Sequence, residues 1–374
     1  MIPRLNPGEL IADEYLAFLA ALPGAGYGGE VRQDYAARLL TATDNSVYQV
    51  LPQAVLYPRA SSDVSVSLRL LAETRFRSVT LTARGGGTGT NGQSLTDGLV
   101  LDVSRHMDNI LEMNLEEGWV RVQPGVVLDQ LNNHLRPHGV FFAPNLSPSS
   151  RATIGGMIST DAAGKGSGVY GKTSEHVLGL RTVLLDGTVL DSVRQDAEGL
   201  RLQEDEPGRV GEIYRTLHQI VRENTDAINR VFPNLRRFMT GYNLARLWDS
   251  DTGDFDLNAL LSGSEGTLGV VVEAKLKLTP IPRERRLVLL KYAAFQDALG
   301  NAEDLVLLRP SAIETIDETI LKLARDDALY PKIREAVESG VTGPVAAINL
   351  VEFEGGDAAS VDASVRTLVE SLSD

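Results

Sequence analysis

Apolar residues recur at helical spacing over residues 8–22, where Leu10, Ile11, Tyr15, Leu16, Leu19 and Leu22 share one face and predict an amphipathic helix. A polar stretch runs on to about Asn45. Residues 54–58 then read as a strand leading into a helix from Ser61 or Ser62 to about Arg75, with serine as N-cap. With the strand-like run 79–83 this makes a β-α-β unit, and residues 99–103 give another short strand. Residues 110–114 and 119–123 flank Glu116-Glu117-Gly118 as a hairpin, and Val127, Leu131 and Leu135 line the next helix. A strand at 177–185 and its partner at 188–190 meet at Asp186-Gly187, a pair suited to a type I′ turn. A long helix is expected over 209–231, with Val210, Ile213, Tyr214, Leu217, Val221, Ile228 and Val231 as its core stripe. A strand then runs to Leu278 and ends at Pro280 and Pro282, which place a domain boundary. Beyond it the pattern reads strand (286–292), helix (Phe295, Leu299, Ala302, Leu305), strand (345–353) and helix (Val361, Val365, Leu368, Leu372).

Two segments break this regularity. Arg84-Gly85-Gly86-Gly87-Thr88-Gly89-Thr90-Asn91 follows a strand directly. Without Cβ atoms such a loop can turn several N–H groups toward one anion, with Thr88, Thr90 and Asn91 as further donors; a flexible surface turn is the plain alternative. Residues 143–173 are rich in small side chains and long for a structureless connection, which favours a functional role.

The chain has 374 residues, no cysteine and a formal net charge of −14. Its length suits two or three domains. The acidic balance, without a basic run, argues against nucleic acid and anionic membrane surfaces, so a bound phosphate must be neutralised by local backbone dipoles. Disulfides, thiolate-held metals and cysteinyl-flavin links are excluded within these residues. No apolar run reaches the roughly 18 residues of a membrane span, and residues 1–6 lack a signal-peptide core, which suits a cytoplasmic protein.

Two nucleotide motifs fail on context. Gly87-Thr88-Gly89-Thr90-Asn91-Gly92 fits G-x-G-x-x-G, but no helical period follows, so no helix N-terminus can receive a pyrophosphate. Gly166 to Thr173 fits G-x-x-x-x-G-K-[ST] with Lys172 in place, yet no apolar strand precedes it and a strand follows it.

The glycine-rich segments, in this order and spacing, resemble the vanillyl-alcohol oxidase type of FAD-binding domain over roughly residues 50–282. The likeness is to the FAD-linked D-lactate and D-2-hydroxyglutarate dehydrogenases in particular. It rests on Arg84-Gly85-Gly86-Gly87-Thr88-Gly89, Ser149-Ser150 with Thr153-Ile154-Gly155-Gly156, Tyr170-Gly171 with Val177-Leu178-Gly179-Leu180, and Gly263-Ser264-Glu265-Gly266-Thr267-Leu268-Gly269. The resemblance implies an α+β fold, a two-subdomain FAD-binding domain followed by a partial cap domain with an antiparallel sheet. The divisions would be an N-terminal extension (1–49), the FAD-binding domain (50–282, subdomains 50–108 and 109–282) and the cap (283–374). It implies FAD contacts from Arg84, Gly85, Gly86, Gly87, Thr88, Gly89, Thr90 and Asn91 at the pyrophosphate. Along the flavin and ribityl chain it implies Pro148, Ser149, Ser150, Thr153, Gly155, Gly156, Ser159, Asp161, Ala162, Gly164, Gly171 and Val177, with Glu265 and Gly266 as support. Thr88 stands where covalent members often carry histidine, so non-covalent FAD is expected. Asp161-Ala162-Ala163-Gly164 departs from the usual Asn-Ala-Gly-Gly and looks most like long bacterial D-2-hydroxyglutarate dehydrogenase-like proteins fused to an iron–sulfur half. Asp161 could bond a ribityl hydroxyl or cap a turn.

The implied reaction oxidises a (R)-2-hydroxy acid, D-2-hydroxyglutarate ahead of D-lactate or glycolate, to the 2-oxo acid by hydride transfer to flavin N5. It needs a base and a carboxylate-binding cation. None of the five histidines matches the family's metal site: His134 and His138 straddle Pro137, and His106, His176 and His218 are isolated. Catalytic residues are therefore unassigned, and the chain is expected to be an N-terminal portion of a longer enzyme that binds FAD without full turnover. An electron-acceptor protein or fused iron–sulfur domain is the implied partner, at a cytoplasmic or inner-membrane-peripheral location. The competing readings are a P-loop NTPase dependent on Lys172 and a non-catalytic flavoprotein subunit. Arg283, Arg285 and Arg286 at the junction could meet a carboxylate or form a solvated linker.

Overall fold

A computed structural model describes residues 10–233, 235, 241–340 and 343–372, and the chain divides into two compact units. The first comprises residues 1–163 and 172–279, the second residues 164–171 and 280–374.

The first unit opens with the helix Asp13–Ala25, which begins later than its apolar pattern and ends at Gly26 in the left-handed region. The polar stretch after it hides two elements: β1 (Glu30–Arg32) and a helix, Tyr35–Thr41, whose N-cap Asp34 accepts from Ala37 N at 3.1 Å. β2 (Ala54–Tyr57), β3 (Leu81–Arg84) and β4 (Leu99–Asp102) complete a sheet of order β1-β2-β4-β3, with β2 and β3 both parallel to β4. The β-α-β path from β2 through the helix Ser61–Leu71 to β3 is present, but β4 lies between the two strands. Every residue of β2 and of β4 is buried, as suits strands covered on both faces. The helix stops at Leu71 rather than Arg75. A 3₁₀ turn, Thr74–Phe76, then sets Phe76 edge-on against Phe18 at 5.2 Å between centroids.

A second sheet follows, built from β5 (Ile110–Asn114), β6 (Trp119–Val122), β8 (Val177–Val183), β9 (Val189–Val193) and β10 (Val270–Lys277), in the antiparallel order β5-β6-β10-β8-β9. β7 (Val140–Phe141) and β11 (Thr279–Pro280) are two-residue pieces outside it. Burial alternates along β9 and β10, which turns one face to a core that includes Val120, Leu131, Phe142, Ile154, Ile158, Tyr214 and Phe255.

Two local expectations are corrected in this unit. The β8–β9 connection is a three-residue loop: Gly187 N bonds Leu184 O at 2.9 Å, Gly187 alone has positive φ (+82°), and Asp186 does not. A type I′ turn would need both. The helix expected over 209–231 is two helices, Arg209–Glu223 and Thr225–Val231. Asn224 breaks it, because its side-chain amide bonds Ile220 O at 2.8 Å and competes with the helical ladder. Ahead of them lies the unanticipated helix Ala197–Asp205, capped by Asp196.

The second unit is a three-stranded antiparallel sheet, β12 (Glu284–Tyr292), β13 (Ala312–Ile316) and β14 (Ala347–Gly355), ordered β12-β14-β13, with the helices Phe295–Leu307 and Ala358–Ser371 packed on it. Between the first of these helices and β14, where the sequence pattern assigned no element, lie β13 and two more helices, Glu318–Arg325 and Tyr330–Glu338. Residues 164–171 join this unit: Lys165 pairs with Glu352, and Tyr170 Oη donates to Glu354 at 2.8 Å. Arg285 meets carboxylates, Glu352 at 3.0 Å and Glu354, and Arg286 meets Asp362 at 2.9 Å.

Candidate functional site

β3 ends at Arg84, and the loop it releases forms one wall of a cavity of about 490 Å³ in the first unit. Residues 85–91 all line it. Two glycines there are required by close approach: a Cβ on Gly85 would strike Thr153 Oγ1, and one on Gly86 would strike the Arg151 carbonyl. The glycine loop and the small-residue segment are therefore in contact, Gly85 against the Thr153 side chain and Gly86 against the Arg151 backbone. Among the described residues, no main-chain N–H from Gly85 to Thr90 donates to a protein acceptor. A cluster of such donors suits an anion.

The second wall comes from the short helix Ile154–Ser159 and its approaches, with Pro148, Thr153, Gly155, Gly156, Ser159 and Ala162 lining the space. Gly155 N bonds Pro124 O at 2.8 Å, and Thr153 caps the helix through Gly156 N at 3.4 Å. The third wall includes Glu265 and Gly266. That turn is tied to the second wall by Gly263 N to Ile158 O at 2.8 Å and by Glu265 N to Ser159 O at 2.9 Å. Glu265 (φ 52°) and Asp161 (φ 46°) hold left-handed conformations that non-glycine residues adopt at some cost.

Several sequence-picked residues lie elsewhere. Gly164 and Gly171 belong to the second unit, Ser149 and Ser150 sit in a turn outside the cavity lining, and Val177 starts β8 beside a separate hollow. Asp161 is buried, accepts from Ser174 N at 2.9 Å and forms an ion pair with Lys172. Arg84 lines the cavity, but its guanidinium serves the protein, donating to Thr41 O (3.2 Å), Thr43 O (2.7 Å) and Ser94 Oγ (3.3 Å). Burial draws its pKa down, while Asp102 and Asp44 oppose that. Burial in turn raises the Asp102 carboxyl, against hydrogen bonds from Ser104.

Residues missed from the sequence include Gln93 and Ser94 and an apolar set, Val103, Pro124, Leu146, Met157, Val270 and Val271. In sequence these six read as ordinary core. Together they give the cavity an apolar part beside its donor-rich loop, which fits a ligand with a planar ring system and a diphosphate.

The P-loop reading is overturned. Residues 166–176 form a four-residue helix, Ser167–Tyr170, and a 3₁₀ turn, Thr173–His176, and the Lys172 amine is spent on Asp161. Nor does a helix follow Gly87 to Gly92. Among the described residues no cluster of histidine, aspartate and glutamate could hold a metal, and the His134 and His138 rings lie 6.4 Å apart. No helix among them is long and apolar enough to cross a membrane.

Residues 52–192 match the FAD binding domain family, and residues 281–374 match the C-terminal domain of FAD linked oxidases. D-2-hydroxyglutarate dehydrogenase of Pseudomonas putida is 51% identical over 358 residues, covering 96% of this chain and 36% of that protein. The Escherichia coli protein of the same name is 46% identical over 372 residues, again covering 36% of its length. Glycolate oxidase subunit GlcD of Bacillus subtilis is 28% identical over 324 residues, 86% of this chain and 55% of the relative. A solved alkyldihydroxyacetonephosphate synthase superposes with a TM-score of 0.67 at 18% identity, covering 99% of this chain and 62% of the other, which establishes the fold. The chain thus spans about a third of the D-2-hydroxyglutarate dehydrogenases it matches. Matched along both its units, the chain carries an FAD binding domain and the C-terminal domain of FAD linked oxidases, in a fold it shares with that synthase.

Proposed function

We propose that this chain is the flavin-binding portion of an FAD-dependent D-2-hydroxyacid dehydrogenase, with D-2-hydroxyglutarate as the preferred substrate and D-lactate or glycolate as weaker ones. The observation that carries it is the cavity whose one wall is the Gly85 to Asn91 loop, with its array of main-chain donors, and whose other walls come from the 148–163 and 265–271 segments. Bound FAD would supply the hydride acceptor for oxidation of the α-carbon. The protein's part is to hold it: the loop amides receive the diphosphate, the apolar set packs the ring, and Thr153, Ser159 and Thr160 offer hydroxyls along the chain between. Thr88 offers no attachment point, so the cofactor is held without a covalent bond.

Substrate preference rests on similarity: the relatives at 46–51% identity are D-2-hydroxyglutarate dehydrogenases, whereas the glycolate oxidase subunit stands at 28%. In this reading residues 50–282 bind the cofactor and residues 283–374 begin the substrate cap. The base, the substrate carboxylate's partner and an iron–sulfur electron acceptor are supplied by further polypeptide, in a cytoplasmic enzyme. The purified chain should be yellow and release free FAD on denaturation, and the full-length protein's flavin should bleach anaerobically with D-2-hydroxyglutarate faster than with D-lactate. A colourless chain that takes up no FAD, or bleaching by neither acid, would refute the proposal.

A further inference from the structure

The glycine loop is gripped from outside the matched domain. Residues 42–50 form a short loop closed at its base by Val50 N to Ala42 O at 2.9 Å and by a bridge between Thr43 and Gln49, and they precede the FAD binding match, which begins at residue 52. Three bonds tie this loop to the phosphate-type turn. Arg84, at the turn's entry, reaches Thr41 O and Thr43 O, the first being the last carbonyl of the helix Tyr35–Thr41. A helix C-terminus is a favourable place for a cation. Ser94, at the turn's exit, accepts from Arg84 and donates to Asp44 Oδ2 at 3.1 Å. Between them, Asn45 N donates to Gly87 O at 3.1 Å.

The middle bond fixes an orientation. In a trans peptide the carbonyl and the following N–H point in opposite directions, so a Gly87 carbonyl held toward Asn45 aims the Thr88 N–H away from the 42–50 loop. Gly87 can take this pose because its φ is +60° and a Cβ there would press on the Arg84 guanidinium at 2.5 Å.

We propose that residues 42–50 are a clamp that presets the phosphate-facing amides of the glycine loop, with Arg84, Asp44 and Ser94 as positioning residues that act through that loop. The inference rests on the FAD reading above. It predicts a defect confined to the diphosphate: the clamp orders the donors in advance, which lowers the cost of binding the anion and leaves the ring pocket as it was.

The test uses the full 374-residue chain, stripped of flavin, with three probes. FAD carries both parts, ADP carries the diphosphate on its adenosine without the flavin ring, and riboflavin carries the ring on its ribityl chain without the diphosphate. Asp44→Ala and Ser94→Ala should each weaken FAD and ADP by the same factor, about tenfold, and leave riboflavin within about twofold; tenfold corresponds to about 1.4 kcal/mol. Arg84→Lys keeps the charge but loses the planar fork, and should weaken FAD and ADP similarly. The clamp is overturned if FAD affinity stays within about twofold in Asp44→Ala and Ser94→Ala, if Arg84→Lys matches the parent, or if riboflavin weakens alongside ADP, which would indicate general loosening. A parent chain that binds neither FAD nor ADP refutes the cofactor reading itself, a different result from a binding parent with unaffected variants.

Discussion

Lys172→Met should be among the most damaging single changes in the first unit, although no ligand is involved. The lysine side chain is 4% exposed and its Asp161 partner 10%, so both charges of this ion pair are out of water. Removing one partner of a buried pair leaves the other uncompensated, at a cost of about 3–5 kcal/mol. Asp161 keeps one acceptor role, from Ser174 N at 2.9 Å, which places the expected loss near the lower end, about 3 kcal/mol. With a urea slope of about 3 kcal/mol/M, the midpoint for this unit moves by about 1 M. Adding Asp161→Asn should recover more than about 1 kcal/mol, because it removes the stranded charge, and the double-mutant cycle reports that coupling. The assay is urea titration of the four proteins by far-ultraviolet circular dichroism. A Lys172→Met midpoint within about 0.3 M of the parent, or a strictly additive double variant, would refute the argument. A P-loop lysine would behave oppositely, losing ATP affinity while stability stayed put.

Gly86→Ala should abolish FAD uptake, read by the visible spectrum, and overpack the cradle by about 1–3 kcal/mol, since the new methyl lands on the Arg151 carbonyl; normal flavin content would contradict the contact. Phe18→Ala removes a side chain with 0% exposure that packs edge-on against Phe76, and should destabilise the first unit by about 3–5 kcal/mol in thermal or chemical unfolding. Burial raises the Asp102 carboxyl above its ordinary 3.8. A raised carboxyl favours the fold fully below the unfolded value, and that contribution is lost as pH rises through the folded one. Asp102→Asn should therefore flatten the decline of Tm as pH climbs from about 3.5 toward neutrality, and an unchanged slope would dismiss the effect.

What the sequence made legible were features with a local signature. The glycine run needs no partner to announce an anion loop, and β2 and β4 announce themselves as strands by their short apolar runs. The strand order was not legible, because nothing in residues 99–102 states that they insert between β2 and β3. Arg84 was read as a ligand contact from its place in the motif. Its guanidinium points to carbonyls more than 40 residues upstream, in a stretch whose polar composition hid a helix and a strand. The apolar side of the cavity escaped for a related reason: Val103, Pro124, Leu146 and Val270 come from four separate segments and resemble core until the fold assembles them. Asn224 is a case where a single polar side chain overrules a correct helical period.

The membership of residues 164–171 has a practical corollary for anyone dissecting this polypeptide. The covalent path passes from one unit to the other at 163/164, back at 171/172 and over again at 279/280. A truncation placed at the last of these points does not yield two intact halves. The shorter product would lack Lys165 and Tyr170, leaving Glu352 and Glu354 on β14 with Arg285 to answer both, and the longer one would carry an eight-residue excursion whose own packing partners had been cut away. Severing this protein cleanly takes three incisions, and the glycines at 164 and 171 mark two of them.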